Sequence, residues 1–310
     1  MDPLRQIVHE DGFFTRAMAR ECGYSDKEIG AMARAKVWHR FRRGYYTFGD
    51  IWHGLDEVGR HRIRARAVLH ALGDAVVLSH VSAAIEHGMS PWGIPLDQVH
   101  VTRVDGGPGR IEGDVVHHTG TCSDADLTVV NGLTMVVADR AAVEAASLAG
   151  NESALVLFDS FLHEELGGHD ELMARFSSME RWPRTRHLHI VIRLADGGAE
   201  SPGESRARWL CWAYRLPVPM TQFEVRDSDG TLLGTCDFYW PGSQTLGEFD
   251  GLVKYGRLLK PGQQPGDVVF AEKVREDQLR EASGCPMVRL IWQDYDRPRV
   301  TAARIARFVR

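Results

Sequence analysis

ARECGYSDKEIGAMARAKVWHRFRRGYYTF, residues 19–48, decides how the start of the chain is read. Ser25 and Glu28 stand three apart, the spacing at which a hydroxyl caps a helix and the acid bonds back to the cap amide. Ile29, Met32 and Ala33 then supply an apolar stripe. VWHRFRRGYYTF alternates, with Gly44 at the turn of a hairpin. Upstream, DPLRQIVH (2–9) predicts a short helix with Leu4, Ile7 and Val8 on one face, and TRAMARECG predicts a second, closed by Gly23. Three short helices followed by a basic hairpin make residues 1–54 a winged helix-turn-helix, with the third helix in a major groove and the wing on phosphates. Arg34, Lys36, Arg40, Arg42 and Arg43 lie here with no acid among them, the local positive cluster that double-stranded DNA calls for. The competing reading is a solvated basic face on a small protein-interaction domain.

The rest of the composition is that of an ordinary globular chain. Its 310 residues suffice for two or three cores, and 44% hydrophobic with 25% charged residues is typical. No run is long and apolar enough to span a membrane, and MDPLRQIVHEDG has no signal-peptide core, so a cytoplasmic location is expected. The net charge of −5 excludes a uniformly basic coat but not a local one. Five scattered cysteines without a CxxC pair exclude a disulfide framework and a structural zinc knot, and are read as reduced, mostly buried thiols.

Residues 55–198 read as a mixed α/β middle domain. EVGRHRIRARAVLHAL is a helix, AVVLSH a strand, and VSAAIEHG a helix. QVHVTR, DVVHHTG, DLTVV and LTMVV are strands, with Asn131-Gly132 at a tight hairpin. From Arg140 to about Leu194 the pattern is helical, RTRHLHIVIRLA included. His117 and His118, adjacent on a strand, point to opposite faces and do not share a metal. His187 and His189 have no carboxylate in register. All four are read as surface or satisfied buried histidines.

After the linker ADGGAESPGES (195–205), residues 199–310 run helix, strand, strand, strand, helix, strand, an α/β sandwich within an α+β protein. Asp237 ends the second strand. Glu248 and Asp250, two apart on the third, leave one face of the sheet. Glu204 lies on the opening helix. Clustered carboxylates repel unless a cation sits between them, and Mg²⁺ or Mn²⁺ suits an all-oxygen set. Lys254 and Lys273 are the candidate positive partners. Against this, Glu204 with Ser201 also fits a capping box, Asp250-Gly251 fits a simple turn, and Glu272, Arg275, Glu276 and Asp277 fit a solvated helix face. Trp209, Trp212, Tyr239, Trp240 and Trp292 are read as core.

Two resemblances follow from these residues. Residues 19–48 resemble the winged helix of the AbiEi family, the antitoxin and repressor half of a bacterial toxin–antitoxin system; this implies DNA binding and admits a toxin protein as second partner. Residues 201 to about 295 resemble the PD-(D/E)XK nucleases, most closely the very-short-patch-repair-like branch, a restriction-endonuclease-like sandwich. The carrying residues are Glu204 in SPGESRARWL, Asp237 in GTCDFYW, and Glu248 and Asp250 in GEFDGLVKYG. By position the resemblance makes Asp237 and Glu248 metal ligands and Glu204 an auxiliary one. Its pattern puts lysine where this chain has Asp250. Either Lys254 or Lys273 takes the role, or Asp250 adds a ligand, or catalysis has been lost.

Two functions are therefore expected to compete. One is a Mg²⁺- or Mn²⁺-dependent DNA endonuclease, with Glu204, Asp237, Glu248 and Lys254 as catalytic set and Asp237, Glu248 and Asp250 as metal ligands. The other is a non-catalytic antitoxin-type repressor with a degenerate nuclease fold.

Overall fold

The computed structural model of the protein describes residues 2–227, 229–251 and 283–309. These residues form a mixed α+β structure with three sheets, and the chain divides into two compact units. The first unit comprises Met1–Ser153 and Leu166–His189, the second Ala154–Glu165 and Ile190–Arg310. No helix among the described residues is long and apolar enough to cross a membrane.

The first unit opens with helix α1 (Pro3–Asp11), whose amide at Leu4 donates to the Asp2 carboxylate at 3.0 Å and whose end is turned by Gly12 at φ 84°. Strand β1 (Phe14–Thr15) leads into α2 (Arg16–Glu21), and α3 (Asp26–Arg34) follows. The Ser25–Glu28 capping box is formed in both directions, the Ser25 amide donating to Glu28 at 2.8 Å. Strands β2 (Trp38–Arg42) and β3 (Tyr45–Phe48) make a hairpin, with β1 on its far side in the order β1-β3-β2. Leu4, Val8, Phe14, Ala19, Ile29, Trp38, Tyr46 and Phe48 close one core beneath these elements. An unanticipated helix, α4 (Gly49–Gly54), begins against the hairpin. A Cβ at Gly49 would overlap the Lys36 carbonyl, so only glycine lets the chain turn there.

The unit continues through α5 (Glu57–Leu72) into β4 (Val76–Leu78) and α6 (His80–Glu86). Then come β5 (Val99–Arg103), β6 (Arg110–Glu112), β7 (Val115–His118), β8 (Leu127–Val130) and β9 (Leu133–Val136). Together with β4 these form one sheet of order β6-β7-β5-β4-β9-β8, in which β5–β7 and β4–β9 are parallel. Asn131 and Gly132, both at positive φ, make the β8–β9 turn. Helix α7 (Ala138–Ser147) presents a fully buried run from Arg140 to Ala146, and α9 (His169–Ser178) follows later in the chain.

The second unit draws in α8 (Asn151–His163) and α10 (Leu188–Leu194), then α11 (Pro202–Ala213). The long helix expected over RTRHLHIVIRLA is only α10. Before it, Thr185 donates to the carbonyls of Glu180 and Trp182, and Arg184 takes φ 64°, which makes a turn of the preceding residues. Strands β10 (Met220–Arg226), β11 (Leu232–Trp240), β12 (Thr245–Asp250) and β13 (Met287–Ile291) lie in that order. The first three are antiparallel neighbours, and β13 joins β12 in parallel. The final helix, α12 (Pro298–Val309), was not anticipated; it buries Ala302, Ile305 and Val309 against Phe238, Trp240, Phe249 and Leu290. The helix expected over AEKVREDQLREASG, with Lys273, and the position of Lys254 lie outside the described residues. Two other expectations need correcting. Trp212 is 39% exposed, on the outer side of α11 with Trp209 stacked on it at 4.8 Å, and only Cys211 and Cys236 of the five cysteines are buried.

Helix α11 is anchored twice. Arg208 reaches the buried Asp159 of α8 at 3.1 Å, and Gly203 lies directly on the Phe249 ring of β12, while Tyr295 donates to the Gly203 carbonyl. A Cβ at Gly203 would overlap that ring. Alanine ordinarily improves a helix by about 0.5–1 kcal/mol over glycine, but overpacking costs about 1–3 kcal/mol. Gly203→Ala should therefore lower the urea midpoint by a net destabilisation of about 1–2 kcal/mol; an unchanged or raised midpoint would show that α11 does not rest on Phe249.

Candidate functional site

The five basic residues named from sequence separate by environment. Arg34, Lys36, Arg40 and Arg43 are exposed at the end of α3 and along β2 and its turn. Arg42 is half-buried and ion-paired with Asp114, so its charge is already matched. Between α3 and β2 runs a groove of about 680 Å³ lined by Arg16, Arg34, Lys36, Arg40, His39 and His53 among others. Arg16 in that groove is held by Asp26 at 3.0 Å.

The four acids named from sequence fall in the second unit, where sheet register orders them. Phe238 pairs with Gly247, so the position facing Asp237 on the neighbouring strand is Glu248. Glu248 in turn pairs with Arg289 on β13. An acid, an acid and a base thus stand in one row across three strands. The guanidinium of Arg289 approaches Glu248 at 3.9 Å and Asp250 at 3.8 Å. Asp237 accepts the amide of Phe249 at 2.7 Å.

Glu204 completes the group from α11. It is 4% exposed; the Ser201 hydroxyl donates to it at 2.6 Å and the Glu200 amide at 2.9 Å. Both expected roles meet in this residue, because it caps its helix and also feels its neighbour. Burial first, and then the negative charge of Asp237, push its carboxyl up to about 7, outweighing the hydrogen bonds from Ser201 and Glu200. Carboxylate oxygens crowded in this way suit a hard divalent cation in kind. The four acids nevertheless do not, among the described residues, bring three ligand atoms within 4.8 Å of one another. Arg289 was missed by sequence reasoning, though MVRLIW shows a base interrupting an apolar strand, which is the available signal.

A group of three does exist in the first unit: His80, His100 and His118, whose ligand nitrogens all lie within 4.8 Å of one another. His100 Nδ1 is 2.9 Å from His118 Nε2. The His80 and His118 rings stack with centroids 3.6 Å apart. Burial, and then the His118 imidazole, hold His100 down to about 3; burial, and then His117, hold His118 to about 4, while His80 lies well below its ordinary value. All three are therefore neutral near pH 7. Reading His118 only against its sequence neighbour His117 hid this cluster, because the residues it meets come from another strand and a helix start.

No known protein family matches the chain. Two uncharacterized proteins of Mycobacterium tuberculosis, from strains CDC 1551 and H37Rv, are each 26% identical to it over 184 residues. The match covers 59% of this chain and 64% of each relative, just under two thirds of their length.

The Glu204 carboxyl provides a direct check. The folded state keeps a proton there that the unfolded state, with the ordinary value of 4.5, has released. Its contribution therefore favours folding below about 4.5 and is lost as pH rises towards 7. In metal-free protein, NMR titration should place Glu204 near 7, and Asp237→Asn, which removes the neighbouring charge, should lower it. A Glu204 titration unmoved by Asp237→Asn would show that the two side chains do not interact.

Proposed function

We propose that the protein binds double-stranded DNA through its N-terminal helices and hairpin and cleaves phosphodiesters at the carboxylate row of residues 199–310. The observation that carries the reading is the row Asp237–Glu248–Arg289 with Glu204 beside it, which among the described residues sets three acids and one guanidinium together. It is supported by the element order of this region. A helix, three antiparallel strands and a last strand parallel to the third fit the restriction-endonuclease-like sandwich of the PD-(D/E)XK nucleases, which the sequence of residues 201–295 resembles.

Asp237, Glu248 and Asp250 are the residues that would hold Mg²⁺ or Mn²⁺. Such an ion lowers the pKa of a bound water and neutralises charge gathering on a phosphodiester. Around it, the chain's own groups have definable roles. Glu204, with its carboxyl near 7, exchanges a proton at neutral pH. Asp237 is oriented by the Phe249 amide. Arg289, on the strand beside Glu248, offers a guanidinium that can pair with a phosphate oxygen. It stands in for the lysine of the resembled pattern, whose place Asp250 occupies.

The DNA-binding half of the proposal rests on the order α1, α2, α3 and hairpin, the arrangement of a winged helix, and on the exposed cations Arg34, Lys36, Arg40 and Arg43. Arg42 contributes less, being engaged by Asp114. A second reading, an AbiEi-type repressor without catalysis, is favoured by one observation: Arg289 already reaches both Glu248 and Asp250, supplying internally the charge that an ion would supply. A toxin protein is the partner that reading admits.

One measurement separates these readings, and a second tests the DNA binding that both require. With plasmid and Mg²⁺ or Mn²⁺, the wild type should nick or linearise DNA, and Asp237→Asn should lower the rate at least about 100-fold, the scale of lost electrostatic stabilisation. Equal, undetectable cleavage by both proteins leaves the repressor. In either case, Arg34→Ala combined with Arg40→Ala and Arg43→Ala should weaken duplex binding and lower the salt slope by about one per lost phosphate contact; unchanged affinity and slope would remove DNA binding through this face.

A further inference from the structure

The histidines of the first unit are brought together by topology rather than by a local motif. Strand β4 ends at Leu78, and after Ser79 helix α6 begins at His80. Strand β5 carries His100 and lies between β4 and β7. His100 pairs with Val116 and Thr102 with His118, so His118 stands two residues beyond the partner of His100, on the same face of the sheet. His117 points to the opposite face. Three neighbouring elements thus each deliver one imidazole to a single point.

Nothing in the packing of an apolar core asks for such a convergence. Only one proton can lie between His100 Nδ1 and His118 Nε2, so one nitrogen donates and the other accepts. His80 adopts φ 51°, a left-handed conformation that residues other than glycine adopt uncommonly and that clusters at functional sites. Its Nδ1 lies 3.0 Å from the Ser79 hydroxyl and 3.3 Å from a Glu144 oxygen. The other Glu144 oxygen accepts from Arg140 at 2.8 Å. Glu144 also accepts the backbone amide of His80 at 3.2 Å, so the Ser79 hydroxyl and a buried carboxylate together hold the Nδ1 side of His80, support of the kind found behind metal-ligating histidines.

We propose that His80, His100 and His118 form a binding site for a divalent transition-metal ion of the zinc type. Neutral imidazole is the ligand that Zn²⁺ and its neighbours favour, and three histidines are a known complete protein set for zinc. The spacing fits. Metal–nitrogen distances of about 2.0–2.1 Å in tetrahedral geometry separate two ligand nitrogens by about 3.3 Å, so the His100–His118 pair has to open by only a few tenths of an ångström. The ion would take the place of the proton that these two rings now share.

Three protein ligands leave a fourth position, and here it adjoins a cavity. His80 and His118 line a space of about 320 Å³ with Thr102, Thr119, Trp182, Arg140 and the Glu144 carboxylate that Arg140 pairs. Arg140 lies over the Trp182 ring at 5.4 Å, and its NH2 nitrogen is buried without a hydrogen-bond partner. An open metal position beside an unsatisfied guanidinium donor suits water or a small anionic oxygen ligand. This assignment is independent of the carboxylate row, which is an all-oxygen set on other elements.

The test is a titration of tag-free protein with Zn²⁺, and with Co²⁺ as a visible reporter, in excess Mg²⁺ so that any all-oxygen site is filled. The wild type should bind one equivalent, give the intense absorption of four-coordinate Co²⁺ with nitrogen ligands, and shift the imidazole NMR signals of His80, His100 and His118. His100→Ala and His118→Ala should each lose at least about 10-fold in affinity, and Glu144→Gln about 10–100-fold. His117→Ala, on the opposite face, should bind as the wild type does. Absence of the Co²⁺ absorption and of the histidine shifts in the wild type overturns the proposal, and this holds even if a variant fails to fold. Equal affinity in folded His100→Ala or His118→Ala, checked by circular dichroism, overturns it as well.

Discussion

A carboxylate taken out of water needs a proton, a cation or several donors, and that constraint organises both units of this protein. At most of its buried acids the chain supplies a guanidinium. Asp159 has Arg208 and Glu144 has Arg140, and the half-buried Asp126 lies between Arg140 and Arg175. These pairs fix elements whose sequence separation is large: Arg208 ties α11 to α8, and Arg175 ties α9 to the start of α7 through Asp139. Glu204 is treated differently. Among the described residues its partners are a hydroxyl and an amide, and the charge that acts on it most is that of another acid, Asp237. A fold that pairs Asp159 and Glu144 closely with arginine leaves Glu204, among the described residues, facing like charge. The proposed function grows from that exception.

The two candidate centres also differ in the kind of ion they suit. The carboxylate row offers hard oxygen ligands, while the histidine cluster offers borderline nitrogen ligands kept neutral by burial. Each arises because residues separated in sequence are set side by side on neighbouring strands. In one case β11, β12 and β13 carry Asp237, Glu248 and Arg289 in register. In the other, the parallel pairing of β5 with β7 puts His100 and His118 on one face. Sheets are suited to this, since a period of two aligns side chains across strands without demanding a motif along any one of them.

That same property set the limit of what could be read from the sequence. Local rules worked where chemistry is local. The Ser25–Glu28 cap, the Gly44 hairpin, the Asn131-Gly132 turn and the alternating strands were all legible, as was the pairing of Glu248 with Asp250 on one face. Arg289 and the histidines were not, because their meaning depends on which strands become neighbours. Helix α12 was missed because its buried stripe of Ala302, Ile305 and Val309 is diluted by arginines and alanine. The helix expected over RTRHLHIVIRLA (184–195) was shortened by Thr185, whose hydroxyl binds nearby carbonyls in place of the helical pattern.

The central claim is that the crowded acids of the second unit are a cation site. Its most direct measurement is Mn²⁺ binding to the wild type and to Asp237→Asn, followed by electron paramagnetic resonance with Zn²⁺ present to saturate the histidines. The account predicts about one bound Mn²⁺ per wild-type chain and an affinity at least about tenfold weaker in the variant, a difference of about 1.4 kcal/mol. No bound Mn²⁺ in the wild type, or equal affinity in both proteins, would contradict it.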